Sequence, residues 1–400
     1  MIYRLLILKR ILEDVLMLPF ISLGRMRAKE HPLQECYDIF FFFPFHHIGG
    51  AERVHANIVQ ALKGKKALIV FTRKSHSEGF LADFKASGHE IMDISAYTDN
   101  KKKYWNNLIY RGLFSGYINA QEQRPVIFNG HSNFAYKMSR WIRTDIPQIE
   151  LIHSFSSFSY IRVPFLPFYR ETIMISRNRI QDHLALYQRW GIPETYSKRI
   201  RFILNGIPLP AQNEARGFNE KGLQLMYVGR ATPEKRVHLC AAISEQLHKA
   251  GLPVTMSFVG NVSAAIPVKH PDDLYHGDVN DPAVLDDLYR KQADVLFITS
   301  SEEGFPMVVM EAMARGSIII ATPVGDLPVH IKHGENGFLF SSAKDEEKII
   351  SEGVEFVRRL LDDRDLCRRI SHNNLQYAHV NFGLATFDQH YRDLIESYLP

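Results

Sequence analysis

Short apolar runs alternate with amphipathic stretches along the chain from Tyr37 onward. In the first half the runs fall at 39–43, 67–71, 126–128, 149–152, 173–175 and 202–204, each bounded by turn or polar residues. Nearly continuous apolar runs of this length are strands of a parallel sheet covered on both faces, because a half-solvated strand alternates apolar and polar positions instead. Segments of helical period follow several of them, such as 51–62 and 177–190, as the crossover between parallel strands requires. A polar stretch at 208–222, PLPAQNEARGFNEKG, then breaks the pattern with the composition of a linker. Beyond it a second alternation has runs at 223–228, 254–259, 295–298 and 317–321, with helical stretches at 237–250 and 306–315 and a last helix at 387–398. The pattern predicts an α/β chain of two similar-sized domains joined by one linker.

The N-terminal stretch differs from the rest. Written as a helix, it places Leu5, Leu8, Leu12, Val15 and Leu16 on one face, with Arg4, Lys9, Arg10 and Glu13 off it. Lys9-Arg10 and Glu13-Asp14 interrupt the apolar run, which excludes a spanning helix of roughly 20 apolar residues and the uninterrupted core of a signal peptide. Residues 1–29 carry six basic side chains (Arg4, Lys9, Arg10, Arg25, Arg27, Lys29) against two acidic ones. That composition suits a helix lying on an anionic leaflet. It equally suits a helix packed on the protein's own body, and both readings stand at this level.

Composition narrows the class. With 46% hydrophobic and 23% charged residues over 400 positions, the chain is globular rather than disordered, collagen-like or coiled-coil. A net charge of +4 is too small an excess for a general nucleic-acid binder. Cys36, Cys240 and Cys367 are far apart and odd in number. They imply neither a disulfide framework nor a zinc site, and a reducing, cytoplasmic compartment is expected.

Three stretches carry chemistry. In Ser300-Ser301-Glu302-Glu303-Gly304-Phe305-Pro306 an apolar strand runs into a loop, and a helix through Glu311 follows. A strand, a glycine bend and a helix start with Pro in its first turn present backbone N–H groups at a positive helix end, which suits phosphate. Glu303 and Glu311, eight positions apart, are both placed to face one ligand there. In Val228-Gly229-Arg230-Ala231-Thr232-Pro233-Glu234-Lys235 two cations follow another strand, and the carboxyl edge of an open α/β sheet is where ligands bind. Arg230 and Lys235 there neutralise a diphosphate without a metal. In Phe45-His46-His47-Ile48-Gly49-Gly50 the paired glycines permit close backbone approach to a ligand, but they do not form a dinucleotide fingerprint. Asp363-Arg364-Asp365 has the pattern of a metal-binding DxD, yet it lies in the polar helical tail and reads as surface charge.

Taken together these stretches resemble the retaining glycosyltransferases of family four, the glycosyl transferases of group 1, which have the GT-B fold. The resemblance covers roughly 38–395 and extends through Asn205-Gly206-Ile207, Phe258-Val259-Gly260, Gly277-Asp278, Thr322-Pro323-Val324-Gly325 and Gly334-Glu335-Asn336-Gly337. It implies two Rossmann-like doubly wound domains facing each other across a cleft. An N-terminal acceptor-side domain would span 37–210 after the 1–36 segment. A nucleotide-sugar domain would span 211–380, and a helix at 381–400 would return to the first. The implied reaction moves a sugar from a nucleotide-diphosphate sugar to an acceptor hydroxyl, in cell-surface glycan, lipopolysaccharide or exopolysaccharide assembly, with no metal or other cofactor.

The resemblance also assigns roles. Arg230 and Lys235, with the amides of Met307 and Val308, would hold the diphosphate, and Gly50 would lie beside it. Glu311 would bind the ribose and Glu303 the donor sugar, while His153 matches the family's histidine near sugar and acceptor. His131 is a second candidate. Glu303 or His153 would serve as nucleophile in a double displacement, but the resemblance implies attack on the same face, with the diphosphate taking the acceptor proton. Gly325-Asp326 replaces the usual paired glycines, Val329 stands where Glu is common, and Pro208 follows Asn205-Gly206-Ile207 in place of Asp; these departures bear on donor-sugar preference.

For the acceptor, Phe155, Phe158, Tyr160, Phe165, Phe168 and Tyr169 crowd one segment, and Lys101-Lys102-Lys103-Tyr104-Trp105 adds a basic-aromatic patch. With the N-terminal helix they suggest a glycan or lipid-linked acceptor and a location peripheral to the inner face of the cell membrane. The alternatives are a non-catalytic sugar-nucleotide-binding subunit or a sugar-nucleotide epimerase on the same fold.

Overall fold

The computed structural model describes residues 2–210, 216–266, 269–279 and 281–400. It divides into two compact units, one running to Gly206 and taking up Ala385–Pro400, the other spanning Ile207–Leu384.

The first unit is built on seven parallel strands: β1 (Ile39–Phe43), β2 (Ala67–Phe71), β3 (Glu90–Asp93), β4 (Val126–Asn129), β5 (Gln148–Ile152), β6 (Glu171–Met174) and β7 (Ile200–Phe202). Their order is β3-β2-β1-β4-β5-β6-β7, so the winding reverses at β1, between β2 and β4. Helices α1 (Ile2–Glu30), α2 (Gly50–Ala61), α3 (Tyr104–Asn119) and α4 (Arg177–Trp190) belong to this unit. Four consecutive phenylalanines, Phe40 to Phe43, are fully buried in β1. Successive strand side chains point to opposite faces. Phe42 therefore meets Phe114 of α3 on one side, while Phe43 stacks on His55 of α2 at 4.3 Å on the other.

One polar position interrupts this core. Glu150 in β5 is fully buried and paired with Arg162, also fully buried. Thr172 Oγ1 donates to the same carboxylate at 2.6 Å and Arg162 Nη2 donates to the Tyr187 hydroxyl at 2.5 Å. The carboxylate and hydroxyls around Arg162 raise its pKa above the usual arginine value despite its burial.

Helix α1 packs on α3 through its smallest residues. A Cβ at Gly24 would lie 2.0 Å from the Ile109 carbonyl, one at Gly112 would lie 2.3 Å from the Ile21 carbonyl, and one at Gly116 would lie 2.6 Å from Ala28 Cβ. The backbones touch because side chains are absent there. Tyr3 anchors the start of α1 among Leu166, Leu186 and Tyr187, and Arg10 Nη1 donates to the Pro164 carbonyl at 3.0 Å. The packed side is thus Tyr3, Arg10, Asp14, Ile21, Gly24 and Ala28. The leucine face picked out by helical spacing points the other way, with Leu5, Leu12 and Leu16 at 58%, 60% and 75% exposure. Among the described residues no helix is long and apolar enough to cross a membrane.

The second unit has six parallel strands: β8 (Leu223–Val228), β9 (Val254–Val259), β10 (Leu274–Gly277), β11 (Val295–Ile298), β12 (Ile318–Ala321) and β13 (Gly337–Leu339). Their order is β10-β9-β8-β11-β12-β13, reversing at β8. Helices α5 (Val237–Lys249), α6 (Pro282–Gln292), α7 (Met307–Met313), α8 (Glu346–Asp362) and α9 (Arg364–Asn381) belong to it, and α10 (Leu384–Glu396) carries the chain back to the first unit. Within α10, Tyr391 packs edge-on against Phe128 of β4. Of the polar stretch at 208–222, residues 211–215 lie outside the described residues. Arg216 just after them is anchored, its Nε donating to Asp294 Oδ1 at 2.8 Å.

The strands absent from the apolar pattern are β3, β10 and β13, and all three are edge strands. An edge strand has one neighbour and a partly solvated face, so its sequence need not be an apolar run. The runs expected at 173–175 and 202–204 begin earlier, as Glu171–Met174 and Ile200–Phe202. Ser176 explains the first shift, because its side chain caps α4 by accepting from the Arg179 N–H.

Candidate active site

Each sheet reverses its winding at one strand, and ligands of open α/β sheets bind at the carboxyl ends there. In the second unit the loops after β8 and β11 meet at that position. The Ser301 N–H donates to the Glu234 carbonyl at 2.8 Å, and Arg236 Nε donates to the Thr299 carbonyl at 2.8 Å. Thr299 Oγ1 returns a bond to the Arg236 carbonyl at 3.0 Å. Arg236 adopts a left-handed φ of 47° to make this turn into α5, a conformation that costs energy for a residue with a Cβ.

These two loops bring one of the predicted cations, Lys235, and the carboxylate of Glu303 together. Lys235 Nζ lies 2.6 Å from Glu303 Oε1, and Ser300 Oγ donates to the same oxygen at 2.6 Å. Arg230 is exposed, with its carbonyl fixed by the Tyr227 hydroxyl at 2.9 Å. Gly325, the retained member of the altered glycine pair, has φ of 56°, and a Cβ there would lie 2.3 Å from the Gly304 carbonyl. The Asp326 N–H donates to that carbonyl at 2.8 Å, so the loop after β12 braces the Glu303-Gly304 bend. Pro306 stands just ahead of α7 as its cap rather than inside its first turn. The first N–H groups of α7, those of Met307 and Val308, have no partner within the helix by geometry. Glu311, in the second turn, accepts from the Tyr289 hydroxyl at 3.0 Å. Burial beside that carboxylate holds the Tyr289 phenol protonated, well above the usual range.

In the first unit the loops after β1, β4 and β5 carry histidines. His153 Nε2 lies 2.8 Å from His55 Nε2, so one ring donates to the other. His131, after β4, has φ of 71° and stands with its ring centroid 6.3 Å from that of His153. Burial depresses all three: His131 to about 4, His153 to about 3, and His55 well below its ordinary value. Gly130 sits against this group, because a Cβ there would lie 2.4 Å from Phe43 and 2.8 Å from His55 Nε2. Around the Gly50 Cβ position no atom lies within 4 Å, so the start of α2 is open. His55 is absent from the motif reading. Its signal is a histidine at apolar helical spacing with Ile58, Val59 and Leu62.

Because the folded histidines bind protons more weakly than unfolded ones, the unfolded state takes up protons first as pH falls. Stability contributed by keeping them neutral is present above about pH 6.5 and is lost progressively below it. The melting temperature should therefore fall between about pH 6.5 and pH 4. A curve flat through that window would contradict neutral burial.

A cavity of about 200 Å³ opens in the same unit, lined among others by Lys101, Lys137, Arg73, Asp99, Tyr104 and Arg111. Arg111 is 2% exposed, and its guanidinium donates to Asn107 Oδ1 and the Tyr104 hydroxyl. The aromatic crowd of the acceptor reading divides: Phe165 and Tyr169 are core, while Phe158 lies against His131 at 4.9 Å.

Among the described residues, His248, His270 and Asp272 bring potential metal-ligating atoms within 4.8 Å. They lie at the end of α5 and ahead of β10, the opposite edge from the strand carboxyl ends. The two rings stack in parallel at 3.7 Å, so their in-plane nitrogens do not converge, and His248 Nε2 is engaged by Asp273 at 3.0 Å. Asp363 accepts from the Leu366 N–H at 2.8 Å and caps α9, while Asp365 pairs with Arg368.

The comparisons with known proteins agree with this layout. The chain superposes on HepE of Anabaena, solved in complex with UDP and glucose, with a TM-score of 0.71 at 16% identity, covering 90% of this chain and 100% of that one. The fold is therefore GT-B, in the α/β class. Residues 210–377, within the second unit, match the family described as glycosyl transferases group 1. A D-inositol 3-phosphate glycosyltransferase of Corynebacterium glutamicum is 31% identical over 112 residues, 28% of this chain and 25% of the relative. A trehalose synthase of Thermococcus litoralis is 26% identical over 110 residues, again 28% and 25%. The match thus spans about a quarter of each of these relatives' length.

Proposed function

We propose that the protein is a retaining glycosyltransferase that moves a sugar from a nucleotide-diphosphate sugar to an acceptor hydroxyl. The observation that carries this reading is the Lys235–Glu303 pair, 2.6 Å apart where the loops after β8 and β11 meet. A cation for phosphate and a carboxylate for sugar hydroxyls stand side by side there. Arg230, Lys235 and the amides of Met307 and Val308 are assigned to the diphosphate, Glu311 to the ribose and Glu303 to the sugar. In the first unit Gly50 and His153 are assigned to ligand contact. His153 serves as a neutral hydrogen-bonding group, in keeping with its depressed pKa.

As the bond from the anomeric carbon to the diphosphate oxygen breaks, the electron pair stays on that oxygen and negative charge grows. Groups that bind this charge more strongly than the ground state lower the barrier. The acceptor oxygen bonds to the same face of the anomeric carbon, and its proton passes to the departing diphosphate. No divalent cation has a role in this scheme. The cationic cavity around Lys101, Lys137 and Arg111 supports an acceptor that carries negative charge, such as a phosphate-linked glycan on a lipid. Cell-surface glycan, lipopolysaccharide or exopolysaccharide assembly, at the inner face of the membrane, is the proposed setting.

The test is nucleoside diphosphate release from UDP-, GDP- and ADP-sugars with lipid-linked glycan acceptors and EDTA present, followed by nuclear magnetic resonance of the anomeric linkage. Retained configuration is expected, with release lost in Arg230→Ala and Glu303→Ala. Full activity in both variants contradicts the site, and isomerised donor without acceptor makes the protein an epimerase instead.

A further inference from the structure

Helix α1 exposes an apolar stripe that none of the described residues covers. Leu5, Leu8, Leu12, Val15 and Leu16 are 54% to 75% exposed, and Met26 continues the stripe at 52%. Isolated exposed leucines are ordinary, but a contiguous row along one helix marks an interaction surface. The row cannot turn inward. The opposite side of the helix is locked by the close backbone contacts of Gly24 with Ile109 and of Ile21 with Gly112.

Charge selects the occupant. At 100° per residue, Arg4 and Lys29 border the stripe on one side and Lys9 and Arg27 on the other, and all four are exposed. Of the acidic residues of α1, Glu13 pairs with Lys9 at 3.8 Å and Asp14 with Arg10 at 3.6 Å, and Glu30 ends the helix beside Lys29. Lys101, Lys102 and Lys103 are exposed too, and lead through the half-exposed Tyr104 and Trp105 into α3, the helix on which α1 rests. A second copy of the same stripe would set cations against cations. An anionic phospholipid surface supplies apolar depth for the leucines and negative charge for the borders.

We propose that α1 lies flat in the interface of an anionic bilayer, with its Leu5-to-Leu16 side in the lipid and its glycine side holding the first unit to the surface. Lys101 and Tyr104 also line the cavity proposed for the acceptor, but the α1 stripe and its borders take no part in the transfer reaction, and vesicle binding is read without it.

The test is sedimentation of the full chain with phosphatidylcholine vesicles, with or without phosphatidylglycerol, at low and high salt. The chain should pellet with the anionic vesicles and less so as salt rises. Leu12→Glu/Leu16→Glu should remain in the supernatant, with circular dichroism and melting temperature unchanged. Arg4→Ala/Lys9→Ala should lower vesicle partitioning about fivefold for each cation removed. A wild-type chain that stays in solution with both lipids, or a Leu12→Glu/Leu16→Glu variant that pellets like wild type, overturns the proposal. So does a wild-type dimer in size-exclusion chromatography that this variant converts to monomer while neither binds vesicles, since the stripe would then belong to a second copy.

Discussion

Lys235→Ala should lower sugar transfer by about 10²–10³-fold, the effect of removing one preorganised donor from a developing negative charge. The loss should appear in kcat as well as in the KM for donor, because the diphosphate carries more charge in the transition state than in the bound sugar nucleotide. Truncation also takes the Lys235 cation away from Glu303, so less positive charge offsets that carboxylate when the phosphates arrive. Stability should change little, since Lys235 is 23% exposed and ion pairs open to water contribute only about 0–1 kcal/mol. Transfer within a few fold of wild type, at an unchanged melting temperature, would remove Lys235 from the site.

The largest stability effect lies elsewhere. Arg162→Leu strands the fully buried Glu150 with Thr172 as its remaining donor and leaves the Tyr187 hydroxyl without the guanidinium. Breaking a buried ion pair from one side costs about 3–5 kcal/mol, and the first unit should show it in urea denaturation. Glu150→Leu/Arg162→Leu should recover most of the loss, because removing both charges removes the desolvation penalty with the attraction. Equal destabilisation of the single and double variants would show that the cost is packing rather than an uncompensated charge. The histidines give a second readout, as Arg162 contributes to the depressed pKa of His131.

Much of this arrangement is legible in the sequence, for reasons particular residues make plain. The central strands β1, β2, β8, β9 and β11 are covered on both faces, so their apolar runs coincide with the observed elements. Arg230, Lys235, Glu303 and Glu311 sit in or just after short loops following such strands, and strand ends fix loop positions. The His55–His153 contact joins residues 98 apart in sequence, and no local spacing encodes it. The Glu150–Arg162 pair is hidden because Glu150 looks like one polar interruption in an apolar run. Helix α1 is the clearest case. Its leucines carry the sequence signal, yet its contacts are made by Gly24, Ala28, Gly112 and Gly116, residues whose use in packing is the absence of a side chain. Periodicity finds the apolar face of that helix and cannot tell that it is the outward one.

The proposed reaction depends first on the second unit binding a nucleoside diphosphate through Arg230 and Lys235. Isothermal calorimetry of the full chain with UDP, GDP and ADP in EDTA tests it most directly. Saturable binding of one of the three at a single site is expected, weakened by at least about tenfold in Arg230→Ala and in Lys235→Ala, with both variants folded. Binding of equal strength in wild type and both variants would contradict it.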